Sequence, residues 1–325
     1  MPRHSCTHAH GGSAEPAPRI PRLAPPARRA RRSTSLPPVR IVACSMPAFS
    51  PFAVAALRAA HAAGEIHRAA FGKGIRVDYK GRNDPVTEAD RAAEAAAVDI
   101  LSSAFPDHAF LGEEGGRRGT GSHTWLIDPL DGTFNFAHAI PWFAVSIALE
   151  RGGRPVVGVI LNTMFGEVYA AETGQGAFAA AVSGLPPRPE AWAASAGWRR
   201  LRVSQMARLD QATLSTGFPH NVAETRVNLD HFTNLVTGAA RIRLMGSAAL
   251  NLAGVALGQT EGYWEVGPHA WDFAAGALLV EEAGGRVTDL RGRGPDLHGR
   301  QMLATNGLIH DQVIAVLAAG HSGLG

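Results

Sequence analysis

The sequence predicts a layered α/β (α+β) fold built in two halves, and three observations carry this. Between Phe143 and Ala179, apolar runs alternate with Gly-containing turns, the pattern of antiparallel hairpins. After Leu201, short apolar strands alternate with Ala- and Leu-rich helical stretches. The 325 residues suffice for one large domain or two ordinary ones, and 46% hydrophobic against 18% charged residues fits a globular chain.

Residues 1–45 are rich in Pro, Arg, Ala, Ser and His and have no hydrophobic period, so a disordered basic tail is expected there. A presequence, a basic arm for anionic partners, and sequence upstream of a true start at Met46 are the three readings of it. The third is favoured, because the folding pattern begins directly after Met46. The folded region is then 46–325, with halves roughly 46–185 and 199–325. The tail also explains the net charge of +3. It holds eight Arg and one Glu, so of 31 basic and 28 acidic residues the remainder keeps 23 and 27, a balance of −4. A mildly acidic body without a Lys/Arg stripe indicates no nucleic-acid partner. No apolar run reaches membrane-spanning length. Both cysteines, Cys6 and Cys44, lie in the first segment, so the body has neither a disulfide framework nor a thiolate zinc site, which fits a cytoplasmic chain.

In chain order, Ala48 to Phe71 reads as an Ala-rich helix and "IRVDYKG" as a strand. "NDPVTEADRAAEAAAVDILSSAFP" starts a helix near Thr87 and ends it before Pro106. "TWLID" is a short apolar strand followed, in the first reading, by a turn at "DPLDG". Hairpins fill 143–179, and Pro186–Trp198 is a Pro- and Ala-rich connector. A helix over Val222–Val236, "RIRLMGS", the helix "AALNLAGVALG", the strand "TEGYWEV", the helix "DFAAGALLVEEAGG", the strand "RVTDL" and a last helix after Asn306 complete the chain.

Acidic residues punctuate this pattern where elements end: Asp90, Glu113 and Glu114, Asp128 and Asp131, Glu265, and Asp272. Singly, each has a structural explanation. Asp90 follows Thr87 by three residues, as in a capping box; Asp272 suits a helix N-cap; Glu113 and Glu114 suit a solvated loop. Together they match what a hard divalent cation such as Mg²⁺ requires, oxygen ligands from a few carboxylates plus water and phosphate. Two such cations about 3.5–4 Å apart clamp the attacking and leaving oxygens of a displacement. Gly132 permits close backbone approach to an anion, and Thr133 adds a hydroxyl.

"FLGEEG", "WLIDPLDGTFNF", "MGSAALNLAGVALG", "YWEVGPHAWDFAAG" and "EEAGGRVTDL" resemble, in order and separation, the inositol monophosphatase family. "KGRNDPVTEAD" and "STGFP" resemble its bacterial members. The resemblance runs from about Met46 to the C-terminus. It implies a five-layered α-β-α-β-α sandwich, a Mg²⁺-dependent and Li⁺-sensitive phosphomonoesterase, and often a homodimer. Glu113, Asp128 and the carbonyl of Leu130 would bind one metal. Asp128, Asp131 and Asp272 would bind the second, and Asp90 would assist a third or its water. Glu113 and Thr133 would position the attacking water. The Gly132 and Thr133 amides would hold phosphate, and Gly246, Ser247, Ala248 and Glu265 would face the alcohol.

Two features depart from that pattern. The segment Ala179–Trp198 is longer than the family's short turn, which suggests an altered dimer surface or a mobile loop, and the N-terminal tail has no counterpart. His269 is expected either to line the pocket or to be a bonded structural residue, and His138 and Trp142 to pack. The substrate expected first is inositol-1-phosphate. Fructose-1,6-bisphosphate, histidinol phosphate, NADP and 3′-phosphoadenosine 5′-phosphate are the alternatives of the same chemistry, and a regulatory binding protein is the alternative of another class. No basic cluster for a second phosphate is evident beside the motifs.

Overall fold

The computed structural model describes residues 48–73, 77–81, 84–184, 188–195, 197–239 and 241–319. The expected tail and the Met46 boundary lie outside them. The described residues belong to one compact unit, Cys44–Gly325.

The element order is α1 (Pro51–Ala70), β1 (Val77–Gly81), β2 (Asp84–Thr87), α2 (Glu88–Ala104), β3 (Ala109–Gly112), β4 (Gly116–Arg118), β5 (His123–Asp131), α3 (Thr133–Ala137), β6 (Ala144–Arg151), β7 (Arg154–Asn162), β8 (Glu167–Glu172), β9 (Gly176–Ala181) and β10 (Arg199–Arg200) in the first half. The second half runs β11 (Thr213–Thr216), α4 (Val222–Thr225), α5 (Leu229–Gly238), β12 (Arg241–Arg243), α6 (Ala248–Ala256), β13 (Gly262–Val266), α7 (Ala270–Glu282), β14 (Arg286–Thr288), β15 (Gln301–Thr305) and α8 (His310–Ala318). An eight-stranded sheet has the order β10-β9-β8-β7-β6-β5-β3-β4, and a five-stranded sheet the order β12-β11-β13-β15-β14. A separate hairpin pairs β1 with β2.

Side-chain alternation assigns the layers. From β5 and β6, Trp125, Ile127, Val145, Ile147 and Leu149 share a core with the alanine face of α1 and with α2. Leu126, Ala144 and Ala148 point the other way, into the core of α6 and α7. On β13 and β15, Tyr263, Met302 and Ala304 join that central core, while Trp264 and Leu303 face α5 and α8. The order of layers is therefore α-β-α-β-α, the sandwich expected.

Four local expectations need correction. The segment "DPLD" is not a free turn: β5 continues through it, and its pairing with β6 shifts register between Asp128 and Asp131. Pro129 is tolerated because it sits at that irregularity. The helix expected over Val222–Val236 is two helices, α4 and α5, separated by Arg226 and Asn228 at φ 54° and 70°. Asn228 is buried there, and its amide donates to Thr216 Oγ1 at 2.9 Å and to the Gly217 carbonyl at 2.7 Å. Asp272 is not the N-cap of α7; that place is His269, and the Asp272 carboxylate accepts the His269 N–H at 2.7 Å. The described part of the long connector is docked: Trp192 is 1% exposed, contacts His61 of α1 at 5.1 Å between ring centres, and its carbonyl accepts Trp198 Nε1–H at 2.8 Å. Residues 185–187 and 196 of that connector lie outside the described set.

His67 of α1 is fully buried beside Phe136 and Phe143, and burial is the main reason its pKa falls to about 3, against a smaller upward pull from the Pro129 carbonyl. Between about pH 6.5 and pH 3 the unfolded chain therefore binds a proton that the folded chain refuses. Stability falls as pH falls through that window, by up to ~1.4 kcal/mol per unit. The urea midpoint of a His67→Gln protein should decline less steeply than that of the native chain from about pH 6.5 to pH 4. Parallel slopes would exclude His67 as a source of the acid sensitivity.

Candidate active site

One cavity of about 810 Å³ opens between the two sheets at the ends of β5, β11 and β13 and the start of α7. Glu113, Asp128, Leu130, Asp131, Gly132, Thr133, Gly246, Ser247, Ala248, Glu265 and Asp272 all line it. Asp90 stands one contact behind, with Oδ1 at 2.9 Å from the Thr133 hydroxyl. Residues separated by up to 182 positions in sequence thus converge.

The local sequence explains each placement. Asp90 closes a capping box on α2: its carboxylate accepts the Thr87 N–H at 2.8 Å and the Thr87 hydroxyl at 2.6 Å. The structural explanation of Asp90 and its contact with Thr133 therefore hold together, one through each carboxylate oxygen. The register shift in β5 brings both Asp128 and Asp131 to the cavity, where strict alternation would send residues three apart to opposite faces. Asp128 Oδ1 accepts the Leu130 N–H at 3.0 Å. Asp131 meets the N-terminus of α6, accepting from Ala248 N–H at 3.1 Å, from Ala249 N–H at 2.8 Å, and from the Ser247 hydroxyl. A carboxylate is well matched to that helix end. The Ser247 hydroxyl and the Ala248 amide, expected at the alcohol, are thus already engaged by Asp131.

Gly132 has φ +100°, and a Cβ there would lie 3.1 Å from the carbonyls of Gly246 and Trp142, so both the backbone conformation and the space call for glycine. The Thr133 hydroxyl shares its one proton between Asp90 and the Leu130 carbonyl, each at 2.9 Å. Asn135 clamps the loop to its neighbour, donating to the carbonyls of Trp142 and Met245 at 2.8 and 2.9 Å. Glu265 accepts a hydrogen bond from the Tyr263 hydroxyl, and burial pushes its pKa up to about 7. Gly217, from "STGFP", leaves room for that carboxylate: a Cβ would lie 2.3 Å from its Oε1.

Burial, and after it like charge, sets the electrostatics of the site. Burial and then the neighbouring Glu113, Asp131 and Asp272 raise the Asp128 carboxyl well above its ordinary range. Asp272 is raised in the same way, by burial and then Glu113. Asp90 and Asp131 are each pushed up to about 6, burial outweighing their hydrogen bonds. Among the described residues no three Asp, Glu, His or Cys side chains close on a point as a ready-made cage. The donors are all oxygen, and several are held by backbone N–H groups.

Two cavity features, Arg300 and Phe134, were not legible as site residues, while the first of the two expectations for His269 holds. Arg300 lines the cavity, its Nε donating to the Gly267 carbonyl at 3.2 Å. It follows no motif, so only the fold reveals it. Phe134 lines the mouth and stacks on His138 with ring centres 4.3 Å apart. His269 does line the cavity, stacked on Trp271 at 4.5 Å.

The family model for the inositol monophosphatase family matches residues 49–321. This chain belongs to that family. Its class of chemistry is accordingly phosphomonoester hydrolysis. The chain is 44% identical to an inositol-1-monophosphatase of Rhizobium meliloti over 71% of its length and 82% of that protein. It is also 44% identical to the Nus factor SuhB of Pseudomonas aeruginosa, over 77% and 90%. The solved structure of the extragenic suppressor protein suhB from Bartonella henselae superposes with a TM-score of 0.74 at 38% identity, covering 84% of this chain and all of that one. Among the described residues no helix is long and apolar enough to cross a membrane.

Because the cluster is buried and repels itself, ionising it destabilises the cation-free protein. Asp128→Asn removes one charge while its Oδ1 still accepts from Leu130. In EDTA at about pH 7 the Asp128→Asn protein should melt a few degrees above the native chain, since ~1 kcal/mol moves a domain of this size by roughly 2–4 °C. At about pH 4, where the native carboxyls are protonated, the gap should close. A variant that melts lower than the native chain at both pH values would contradict the repulsion.

Proposed function

We propose that the protein hydrolyses a small phosphate monoester with Mg²⁺, inositol-1-phosphate first among substrates. The observation that carries the reading is the convergence of Glu113, Asp128, Asp131 and Asp272 on one cavity, with burial and then mutual repulsion raising Asp128 and Asp272. Buried carboxylates in that state fit a hard divalent cation, which replaces their protons. Glu113, Asp128 and the Leu130 carbonyl would hold one ion, and Asp128, Asp131 and Asp272 a second, with Asp90 assisting a third. When bound, such ions neutralise phosphate charge and lower the pKa of a water.

The chain's own residues do the rest. Glu113 and Thr133 hold the attacking water, and the Thr133 hydroxyl is aimed by Asp90 Oδ1 at 2.9 Å. With a pKa near 6, Asp90 can take up a proton passed through that hydroxyl near neutral pH. The N–H groups of Gly132 and Thr133, at the start of α3, receive phosphate oxygens. Glu265 accepts from a hydroxyl of the alcohol, and Gly246, Ser247 and Ala248 border the same end.

Arg300 at the cavity wall favours a second reading, a substrate with another anionic group such as fructose-1,6-bisphosphate. Histidinol phosphate and nucleotide substrates are distinguished by the same assay. A regulatory role beside catalysis is motivated by the likeness to a protein named Nus factor SuhB. A homodimer is supported by exposed Ile140, Met164, Phe165 and Leu244, and a cytoplasmic location by a cysteine-free body.

Asp131→Asn should abolish phosphate release at saturating Mg²⁺ while the fold persists, because the change removes charge and little packing. Near-native turnover by that variant would refute the cation site. Glu265→Ala should raise KM for inositol-1-phosphate, a lost acceptor being worth about 1–3 kcal/mol, and affect p-nitrophenyl phosphate less. Equal losses on both substrates, or a higher kcat/KM for the bisphosphate, would transfer specificity from Glu265 to Arg300.

A further inference from the structure

Glu94 lies one helical turn after Asp90 on the buried face of α2 and is 4% exposed. A glutamate is rarely buried without partners, and here the partners are specific. Its Oε2 accepts the N–H of Glu114 at 2.8 Å, and its Oε1 accepts the N–H of Gly115 at 2.6 Å. These are charge-assisted bonds to a turn, the one joining β3 to β4. On the other side of the same turn, the Glu113 N–H donates to the Ile127 carbonyl of β5 at 3.1 Å. Glu113 is therefore the residue between two anchors, with β5 before it and Glu94 after it.

The sequence is shaped around the buried carboxylate. A Cβ on Gly112 would lie 2.5 Å from Glu94 Oε2, and a Cβ on Gly115 would lie 2.5 Å from Glu94 Oε1. Neither glycine has a positive φ. Their lack of a side chain serves to admit Glu94 and, at Gly115, the Arg118 guanidinium too, which gives the "GEEG" segment a physical reason. Asp90 and Glu94 together let one helix face set two parts of the cavity: Asp90 holds Thr133, and Glu94 holds the turn that carries Glu113.

We propose that Glu94 is a positioning residue for the reaction. It fixes the backbone of residues 113–115 so that the Glu113 carboxylate stays in the cavity, and its loss weakens cation binding and turnover rather than substrate affinity. The inference rests on the cation-dependent reading above.

The test uses the full chain and the variants Glu94→Gln and Gly115→Ala. Glutamine keeps the volume but offers one acceptor oxygen for two N–H groups. Gly115→Ala pushes from the turn on the same carboxylate and on the Arg118 guanidinium beside it, and leaves Glu94 chemically intact. Calorimetric Mn²⁺ titration without substrate, kcat and KM for inositol-1-phosphate, and melting temperature are measured for each. Both variants should bind Mn²⁺ about ten- to a hundredfold more weakly and lose kcat on the same scale, the usual effect of removing a ligand's support. KM should stay within about twofold, because no alcohol contact is touched. If Glu94→Gln does not fold, Gly115→Ala decides alone. Native Mn²⁺ affinity and native kcat in a folded variant would overturn the role of Glu94. A proportional rise in KM would assign it to substrate binding instead and overturn it too. Asp131→Asn separates the two levels: if that variant keeps activity, the cation reading fails, whereas its inactivity beside native-like Glu94→Gln sinks this inference alone.

Discussion

Repulsion among Glu113, Asp128, Asp131 and Asp272 is the constraint around which the rest of the structure is organised. Four acidic groups facing one cavity ionise together only at a cost that packing elsewhere must offset. The fold meets this with rigid supports. Strand β5 runs through the "DPLD" segment with a shifted register, the N-terminus of α6 receives Asp131, and the turn after β3 is bolted to α2 by Glu94. Each support is an element end packed into a core, so the carboxylates cannot relax apart by local rearrangement.

The two sheets divide the labour. The eight-stranded sheet, covered by the alanine faces of α1 and α2, supplies Glu113, Asp128 and Asp131 from the β3 turn and β5. The five-stranded sheet supplies Glu265 and the Gly217 loop, which buried Asn228 ties down. The helices α6 and α7, packed in the central core, bring Ser247 and Asp272 between them. A site drawn from both halves ties the reacting centre to the central apolar core, and that fits groups that must be held to fractions of an ångström.

Much of this was legible in the sequence because the site acids stand where apolar periodicity stops, beside Gly, Pro or a helix start. A layered α/β fold in two halves followed from the hairpins in 143–179 and the strand–helix alternation after Leu201, and the five-layered order from the family resemblance. Illegible features share a physical cause: their meaning is set by distant partners. Arg300 borders the cavity only because β15 pairs with β13, and β15 itself escaped notice since "QMLAT" is short and lacks alternation. Trp192 looked like part of a loose connector until α1 supplied its contact. Glu94 has no signal in the sequence, because its two N–H donors are 20 and 21 residues away. Taken singly, Asp272 suits an N-cap in the sequence because His269, which holds that place, is an unusual residue for it.

The central claim is that burial and mutual repulsion raise the cavity's carboxyls, so that a bound cation displaces protons from them. Calorimetric titration of Mg²⁺ into the substrate-free full-length protein, at about pH 6 in two buffers of different ionisation enthalpy, counts the protons exchanged on binding. Net release of protons, larger at about pH 6 than at about pH 8, is the predicted result. Absence of binding, or binding whose heat is the same in both buffers at about pH 6, would contradict it.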